Sequence, residues 1–500
     1  MKKYFTLLTL CFQLFMLISC NDKNVTEETP QPFLSFSFKM EHNQQSLLKD
    51  VDGTIKGYKI EIKSPFICSP KLIATFNSQG QKVLVNGKEQ KSGVTENDFS
   101  TSVTYTIVTP NGNKQDYIVQ VSYSGLPVVI IETPNKAEIP SKHEDWLSGS
   151  KFTIISPDKD ENISGEMGIR GRGNSTWKYP KKPYALKLDK KAEILGMPKH
   201  KRWVLLANWM DRTLLRNATA FQIAQCTGLD WTPRGRFVEV VLNDEHIGNY
   251  YLCEHIKIDE NRVNIQEMES TDVSAEAITG GYLIELDTYY DEVNKFRSTI
   301  KDLPYMIKEP DEDALVQEQL DYLKNYVDEM EHALYDDALF ATEKYLEYMD
   351  IDSHIDWWFV HELATNAEPK HPKSCYMHKD RNGKLKAGPV WDFDWGTFKN
   401  RIYHVNEKAL YFERLFQSPT FTQRVKERWD LFKNKFKAIP SYIDKEQKNI
   451  RASEAMNHSY WPIDKDTNGD EDLSFDAAVK KMRDNYNKKY DWLDKMINDL

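Results

Sequence analysis

The spacing of the hydrophobic residues changes once along this chain, and that change constrains the fold more than any single motif. Up to about Asp311 the apolar residues fall in short runs, many of them alternating, rich in β-branched and aromatic side chains and cut by Gly, Pro and Asn. Such runs suit pleated strands, whose side chains point to opposite faces in turn. Beyond Asp311, "EDALVQEQLDYLKNYVDEMEHALYDD" sets Leu315, Leu320, Leu323, Tyr326, Met330 and Leu334 at three- to five-residue steps, which is one face of a helix. Helices are then expected to the C-terminus, interrupted by the strand-like "KLKAGPVWDFD". Strands first and helices second predict an α+β domain, not alternating βα units.

With 500 residues, the chain exceeds what one hydrophobic core organises, so two to four domains are expected. From about residue 32 to 125 the runs are shortest: "LSFSFKM", "GYKIEIK", "KLIATFN" and "KVLVNG", then two alternating segments flanking Pro110-Asn111-Gly112-Asn113. This spacing predicts an all-β sandwich of the immunoglobulin-like kind, with a hairpin at its end and no residues that carry chemistry. The remainder, 126–500, reads as a second, larger unit. It opens on "LPVVIIET" and includes the hairpin "FVEVVLNDEHIGNYYLCEHIKI", with its turn at Asn243-Asp244. The formal net charge is −10 and Lys and Arg are interleaved with acids, which argues against a nucleic-acid groove.

Residues 1–20, "MKKYFTLLTLCFQLFMLISC", place two lysines before a short apolar stretch that ends at Cys20. This is the pattern of an export signal, and the residues before Cys20 resemble a bacterial lipoprotein signal in which that Cys is acylated. Residues 21–31 would then be a polar tether from a membrane. Cys68, Cys226, Cys253 and Cys375 form no C-x-x-C pair, so buried free thiols are expected in preference to a zinc site.

The densest chemistry lies in "PVWDFDWG". Asp392 and Asp394, framed by Trp391, Phe393 and Trp395, would share one side of an extended chain and converge on a divalent cation. A buried carboxylate needs such a partner. Upstream, "NAEPKHPKSCYMHKD" offers Asn366, Glu368, Lys370 and His371. A polar loop followed by a short strand and an Asp parallels the catalytic loop and metal Asp of protein kinases. A D-x-D of this kind also fits a metal-dependent glycosyltransferase, and a pair of helix caps is the plain structural alternative.

Three further segments are weaker. "GIRGRGN" spaces Arg170 and Arg172 with glycines that would let backbone amides approach an anion, or would simply make a tight turn. Lys187 stands on a strand away from its apolar neighbours, and Arg216 and Asn217 open a helix; each suits a ligand contact or a solvated face. "DKDTNGDEDLSF" places Asp464, Asp466, Asn468, Gly469 and Asp472 as an EF-hand loop would, but Phe475 replaces the bidentate Glu. A solvated acidic turn is the default there.

Together, "RGRGNSTWKYPKKPYALKLDKK", "KRWVLLANWMDRTLLRN", "GNYYLCEHIKIDENRVNI", "GGYLIELD", "YMIKEPDED" and "GPVWDFDWG" resemble the CotH family of spore-coat-H-like atypical kinases. The resemblance covers roughly residues 126 to 500, and the lipoprotein start with a leading β-domain resembles versions from Bacteroides-type bacteria. It implies a kinase-like fold and transfer of the ATP γ-phosphate to a protein Ser or Thr hydroxyl, with Mg²⁺ or another divalent cation. Under it Asp392 is the metal-binding Asp and Asp394 a second acidic contact. Arg172 and Lys187 would meet phosphates, and Glu254 would pair a lysine of the β lobe. Asn366 and Glu368 fall where spore-coat members carry a catalytic Asp, with Ser374 near the position of a metal-loop Asn. Other outcomes are a non-catalytic module binding a cell-surface glycan or protein partner, and the glycosyltransferase. The lipid anchor implies the periplasmic or cell-surface side of a membrane, the outer membrane first.

Overall fold

The computed structural model describes residues 33–462 and 468–500. Cys20, the signal segment and the tether lie outside the described residues, as do Asp464 and Asp466 of the EF-hand-like loop. Among the described residues no helix is long and apolar enough to cross a membrane.

Residues 33–122 form two facing sheets, one of four strands and one of six. Alternation along the strands sends Phe36, Phe38, Ile60, Tyr105, Tyr117 and Val119 inward, all at most 1% exposed. The expected hairpin pairs Val103–Val108 with Lys114–Ser122 in antiparallel register, Tyr105 opposite Tyr117. Lys59–Lys63 lies parallel to Lys114–Ser122 on its other side.

The next strands close on themselves. Seven of them, between Val128 and Glu254, form a closed barrel. Closure comes from Val128–Glu132, which pairs antiparallel with Leu147–Ile155 and parallel with Gly235–Leu242. The interior is filled by a core that includes Ile131, Met167, Leu186, Trp203, Val238 and Leu252. The hairpin Gly235–Leu242/Glu245–Glu254 turns at Asn243 and Asp244, with φ of 50° and 74°. Two left-handed residues give the turn whose twist matches that of the flanking strands.

The α+β reading holds. After the barrel comes a five-stranded sheet, in the order Lys295–Arg297, Pro304–Glu309, Tyr282–Leu286, Cys375–Lys379, Lys386–Ala387. Helices Gln317–Tyr335, Ile351–Leu363, Pro419–Lys437, Ile439–Tyr460 and Phe475–Asp499 accompany it. Three of these begin at side-chain caps from Asp350, Ser418 and Ser474, each accepting a backbone N–H of the first turn. Helix Arg216–Gln225 interrupts the barrel strands in sequence, yet its Ala218 and Phe221 join the same core as Trp357 and Trp391 of the helical part. That helix ties the two halves together.

The stretch "KLKAGPVWDFD" is strand only at Lys386–Ala387. Asp392 has φ of 65°, so the chain bends where an extended strand was expected. Left-handed backbone is costly for a residue with a side chain, least so for Asp and Asn, and it persists where the surroundings hold it.

Candidate functional site

An open cavity of about 840 Å³ lies between the barrel and the five-stranded sheet, and Trp391, Asp392, Asp394 and Trp395 of the acidic loop form part of its wall. The loop's aromatic frame explains its position. Phe393 is fully buried against the His361 ring, with centroids 5.1 Å apart, and Trp391 stacks on Phe221 at 5.7 Å. Trp395 stays 43% exposed at the cavity. Backbone groups of the loop are held from both sides. Phe393 N donates to Asn217 Oδ1 at 2.7 Å, Gly396 N donates to Asn468 Oδ1 at 2.9 Å, and Asn468 Nδ2 donates to the Asp394 carbonyl at 2.9 Å. Asn217 and Asn468 are both buried, so these bonds are sheltered from water.

So fixed, the loop turns both carboxylates to one place. Asp392 and Asp394 lie close enough for each to act on the other's ionisation. Burial pushes Asp394 well above the usual carboxylate range, and Asp392 and Asp211 add to the effect. Burial also raises Asp392, opposed by Arg172 and Lys373. Glu368 is pushed up to about 9 by burial and then by Asp392 and Asp394, with Lys373 opposing. Three acids thus converge where the fold supplies too little positive charge to ionise them.

That donor set fits a hard divalent cation. Mg²⁺ and Mn²⁺ take one or two carboxylates and complete their shell with phosphate oxygens and water. Among the described residues no three His, Cys, Asp or Glu side chains are arranged as a ready metal cage. A closed zinc or calcium site is not the pattern here, whereas two carboxylates open to a ligand-sized cavity are.

The other sequence candidates divide. Glu368 reaches the cavity from the short 3₁₀ turn Glu368–Lys370, and Arg172 lines it with its guanidinium 5.1 Å from the Trp391 ring centroid. Asn366 does not line it. It is buried and its Oδ1 accepts the Glu368 amide at 3.0 Å, so it positions Glu368 and has no direct access to a substrate. Lys187 is exposed on the barrel's outer face and lies outside the cavity, because its strand carries it past the rim. Glu254 is also outside. It is buried and forked onto Arg234, with Nε and Nη2 at 2.9 and 2.7 Å, so it pairs an arginine within the barrel and not a lysine in the cleft.

The glycines of "GIRGRGN" serve packing more than anion approach. The Gly171 amide is used by the Pro140 carbonyl at 2.7 Å, and a Cβ there would come within 2.4 Å of the Trp177 ring. Gly173 has φ of 82°, which a side chain disfavours. Arg216 and Asn217 are neither solvated nor on a free helix face. Arg216 is buried among Asp211, Asp470 and the Thr397 carbonyl, and Asn217 clasps the acidic loop. Asn468, the fifth position of the EF-hand-like loop, turns inward to the same loop, which is the opposite of what a calcium ligand there would do.

Four charged groups were missed. Lys373 lines the cavity, acts on both Glu368 and Asp392, and rests 4.2 Å over the Tyr289 ring. Lys308 pairs with Glu285 at 3.5 Å on adjacent strands of the sheet that floors the cavity. Asp287 is buried and accepts the amides of Tyr289 and Ser374 at 2.7 and 3.1 Å, which shapes the loop after Glu368. The signal was in the sequence: Glu285 and Asp287 are two residues apart in "GGYLIELD", on one strand face, and Lys308 stands inside "YMIKEPDED".

Comparison with curated proteins finds no match. The family model described as CotH kinase protein matches residues 169–497, from the end of the barrel strand that carries Arg170 to the last helix. That span is more than half of the chain and contains every cavity-lining acid discussed above. The chain therefore belongs to the CotH kinase protein family.

Proposed function

We propose that this chain is a metal-dependent phosphotransferase that moves the γ-phosphate of ATP to a Ser or Thr hydroxyl of a protein. One observation carries the reading: Glu368, Asp392 and Asp394 share a cavity wall with too little positive charge to ionise them, beside Arg172 and Lys373. A divalent cation bound with the nucleotide supplies the missing charge and neutralises the phosphate oxygens. Asp392 and Asp394 are the residues that would hold it. Arg172 and Lys373 are placed to orient phosphate oxygens by charge-assisted hydrogen bonds. With the acids ionised, Glu368 takes the proton of the acceptor hydroxyl as that oxygen bonds to phosphorus and ADP leaves.

The test is thermal unfolding with ATP plus Mg²⁺ or Mn²⁺, for wild type and Asp392→Ala, followed by transfer of labelled γ-phosphate to mixed Ser/Thr peptides. A ligand that binds only the folded state raises its melting temperature. A metal-dependent shift that Asp392→Ala abolishes, together with labelled peptide, is the expected result. A shift without transfer would favour the non-catalytic binding module, and no shift with any nucleotide would sink the reading. Export and lipidation at Cys20 belong to the same proposal, and metabolic labelling with palmitate in a bacterial host, lost in Cys20→Ser, tests them.

A further inference from the structure

The cavity has a second charged region that the phosphotransfer reading leaves unused. Arg170 and Arg202 both line it, on the strands Ile163–Gly171 and Met197–Leu206, with the small Ala185 on the strand between them. Their guanidinium carbons lie 4.4 and 4.7 Å from the centroid of one ring, Trp146. Gly168 makes that stacking possible, since a Cβ there would stand 3.2 Å from the Trp146 Cβ. Lys187 follows on the same outer face, 6.0 Å from the same ring and exposed to solvent. Three cations thus share one aromatic support, the first two in the cavity and the third beyond its rim.

None of these three side chains has a carboxylate within ion-pair distance or a hydrogen-bond partner among the described residues. The carboxylates that act on Arg202 are Asp311 and Glu309, and Lys257 already engages both. Burial alone weakens the charge on Arg170, with nothing to offset it. His255, beside this region, has a buried Nδ1 without a partner and is kept neutral by burial and by Arg202, Lys257, Arg172 and Arg262. Two half-buried arginines with no carboxylate in direct ion-pair contact form a site suited to an anion.

The cations acting on Asp392 are Arg172 and Lys373, and Arg170 and Arg202 are not among them. A γ-phosphate held at the aspartates would be served by the first pair, which leaves Arg170 and Arg202 for another anion. The arginine pair instead runs outward to Lys187, a direction open to an extended chain. Resting on the phosphotransfer reading, we propose that Arg170 and Arg202, stacked on Trp146 and continued by Lys187, bind acidic side chains of the acceptor, so that the substrate is a peptide segment with Asp or Glu near its Ser or Thr.

The experiment is fluorescence anisotropy of the full chain with two labelled peptides, one with Ser between Asp and Glu residues and one with Asn and Gln in their place. Wild type should bind the acidic peptide at least about tenfold more tightly, with the gap shrinking as salt rises. Arg170→Gln/Arg202→Gln should remove the preference and leave the Mg²⁺–ATP melting shift unchanged. Arg170→Lys/Arg202→Lys should keep part of it, since charge remains without the forked donors. Equal binding of the two peptides to wild type would overturn the inference. So would a glutamine variant that loses the nucleotide shift but keeps the peptide preference, because the pair would then serve the donor. Anisotropy needs no turnover: acidic-peptide binding without a nucleotide shift would refute the kinase reading alone and leave this site standing.

Discussion

Asn217 Oδ1 accepts the backbone amide of Phe393 at 2.7 Å, while Asn217 Nδ2 donates to Asn208 Oδ1 at 3.0 Å. A residue from the helix between two barrel strands therefore holds the acidic loop of the opposite wall, and the site depends on the two halves staying docked. Asn217→Leu keeps the volume and removes both bonds. A buried amide left without its acceptor costs about 1–3 kcal/mol. All 12 tryptophans lie beyond the β-sandwich, so tryptophan fluorescence follows the CotH part alone. We expect Asn217→Leu to lower its unfolding free energy by about 2 kcal/mol in urea and to weaken the Mg²⁺–ATP melting shift. An unchanged nucleotide shift would mean that the loop holds its shape without the clasp.

Glu368 gives the domain a defined pH response. Its carboxyl, pushed up to about 9 by burial and the two aspartates, has an ordinary value of 4.5 when unfolded. Between these values the folded chain binds the extra proton. The stability contributed by this group is complete below 4.5 and is lost as pH rises towards about 9. Lys181, pulled down to about 7 by burial from 10.5, acts with the opposite sign at higher pH, so the comparison must be with Glu368→Gln. Wild type should lose melting temperature relative to that variant from pH 5 to about 9. Parallel profiles would show that Glu368 ionises freely.

Neutralising one member of the acidic cluster should stabilise the ligand-free protein. Burial, Asp392 and Asp211 hold the Asp394 carboxyl well above its usual range. Asp394→Asn gives Asp392 a permanent donor and removes a titrating group. Near pH 8 we expect a gain of about 1–2 kcal/mol, with loss of the Mg²⁺–ATP shift and of phosphate transfer. Destabilisation in the absence of ligand would show that the fold already satisfies this carboxylate.

Glu254 should behave as structure, not as catalyst. It is fully buried and accepts three hydrogen bonds from Arg234, two from the guanidinium and one from the backbone. Removing one partner of a buried pair costs ~3–5 kcal/mol, reduced here to about 2–3 because the Arg234 side chain is 40% exposed. Glu254→Gln should lower the melting temperature while Mg²⁺–ATP still stabilises the folded fraction. Loss of the nucleotide shift in a folded variant would return Glu254 to the site.

Much of this molecule is legible residue by residue. The alternation that buries Tyr105 and Tyr117 is local, and so is the helical stripe through Leu323, Val327, Met330 and Leu334. That Asp392, Asp394 and Glu368 would face one cavity was legible too, because an acid pair inside an aromatic frame has few inexpensive explanations. Arg172 came from glycine spacing and lies at the site for another reason: its neighbouring glycines make room for Trp177 and a turn.

Sequence alone therefore determined the order of strands and helices and the CotH resemblance, since both depend on side-chain period or type within a few residues. Tertiary structure decided which cations meet those acids. Lys187 and Lys373 look alike along the chain, but the strand carrying Lys187 takes it outside the cavity, while the turn after Glu368 brings Lys373 beside the carboxylates. The same holds for barrel closure, where Val128 meets Glu239 more than a hundred residues away. Whether a charge is buried, paired or left facing a cavity depends on such long-range registers, because the Coulomb and desolvation terms depend on distance in space and not on separation in sequence.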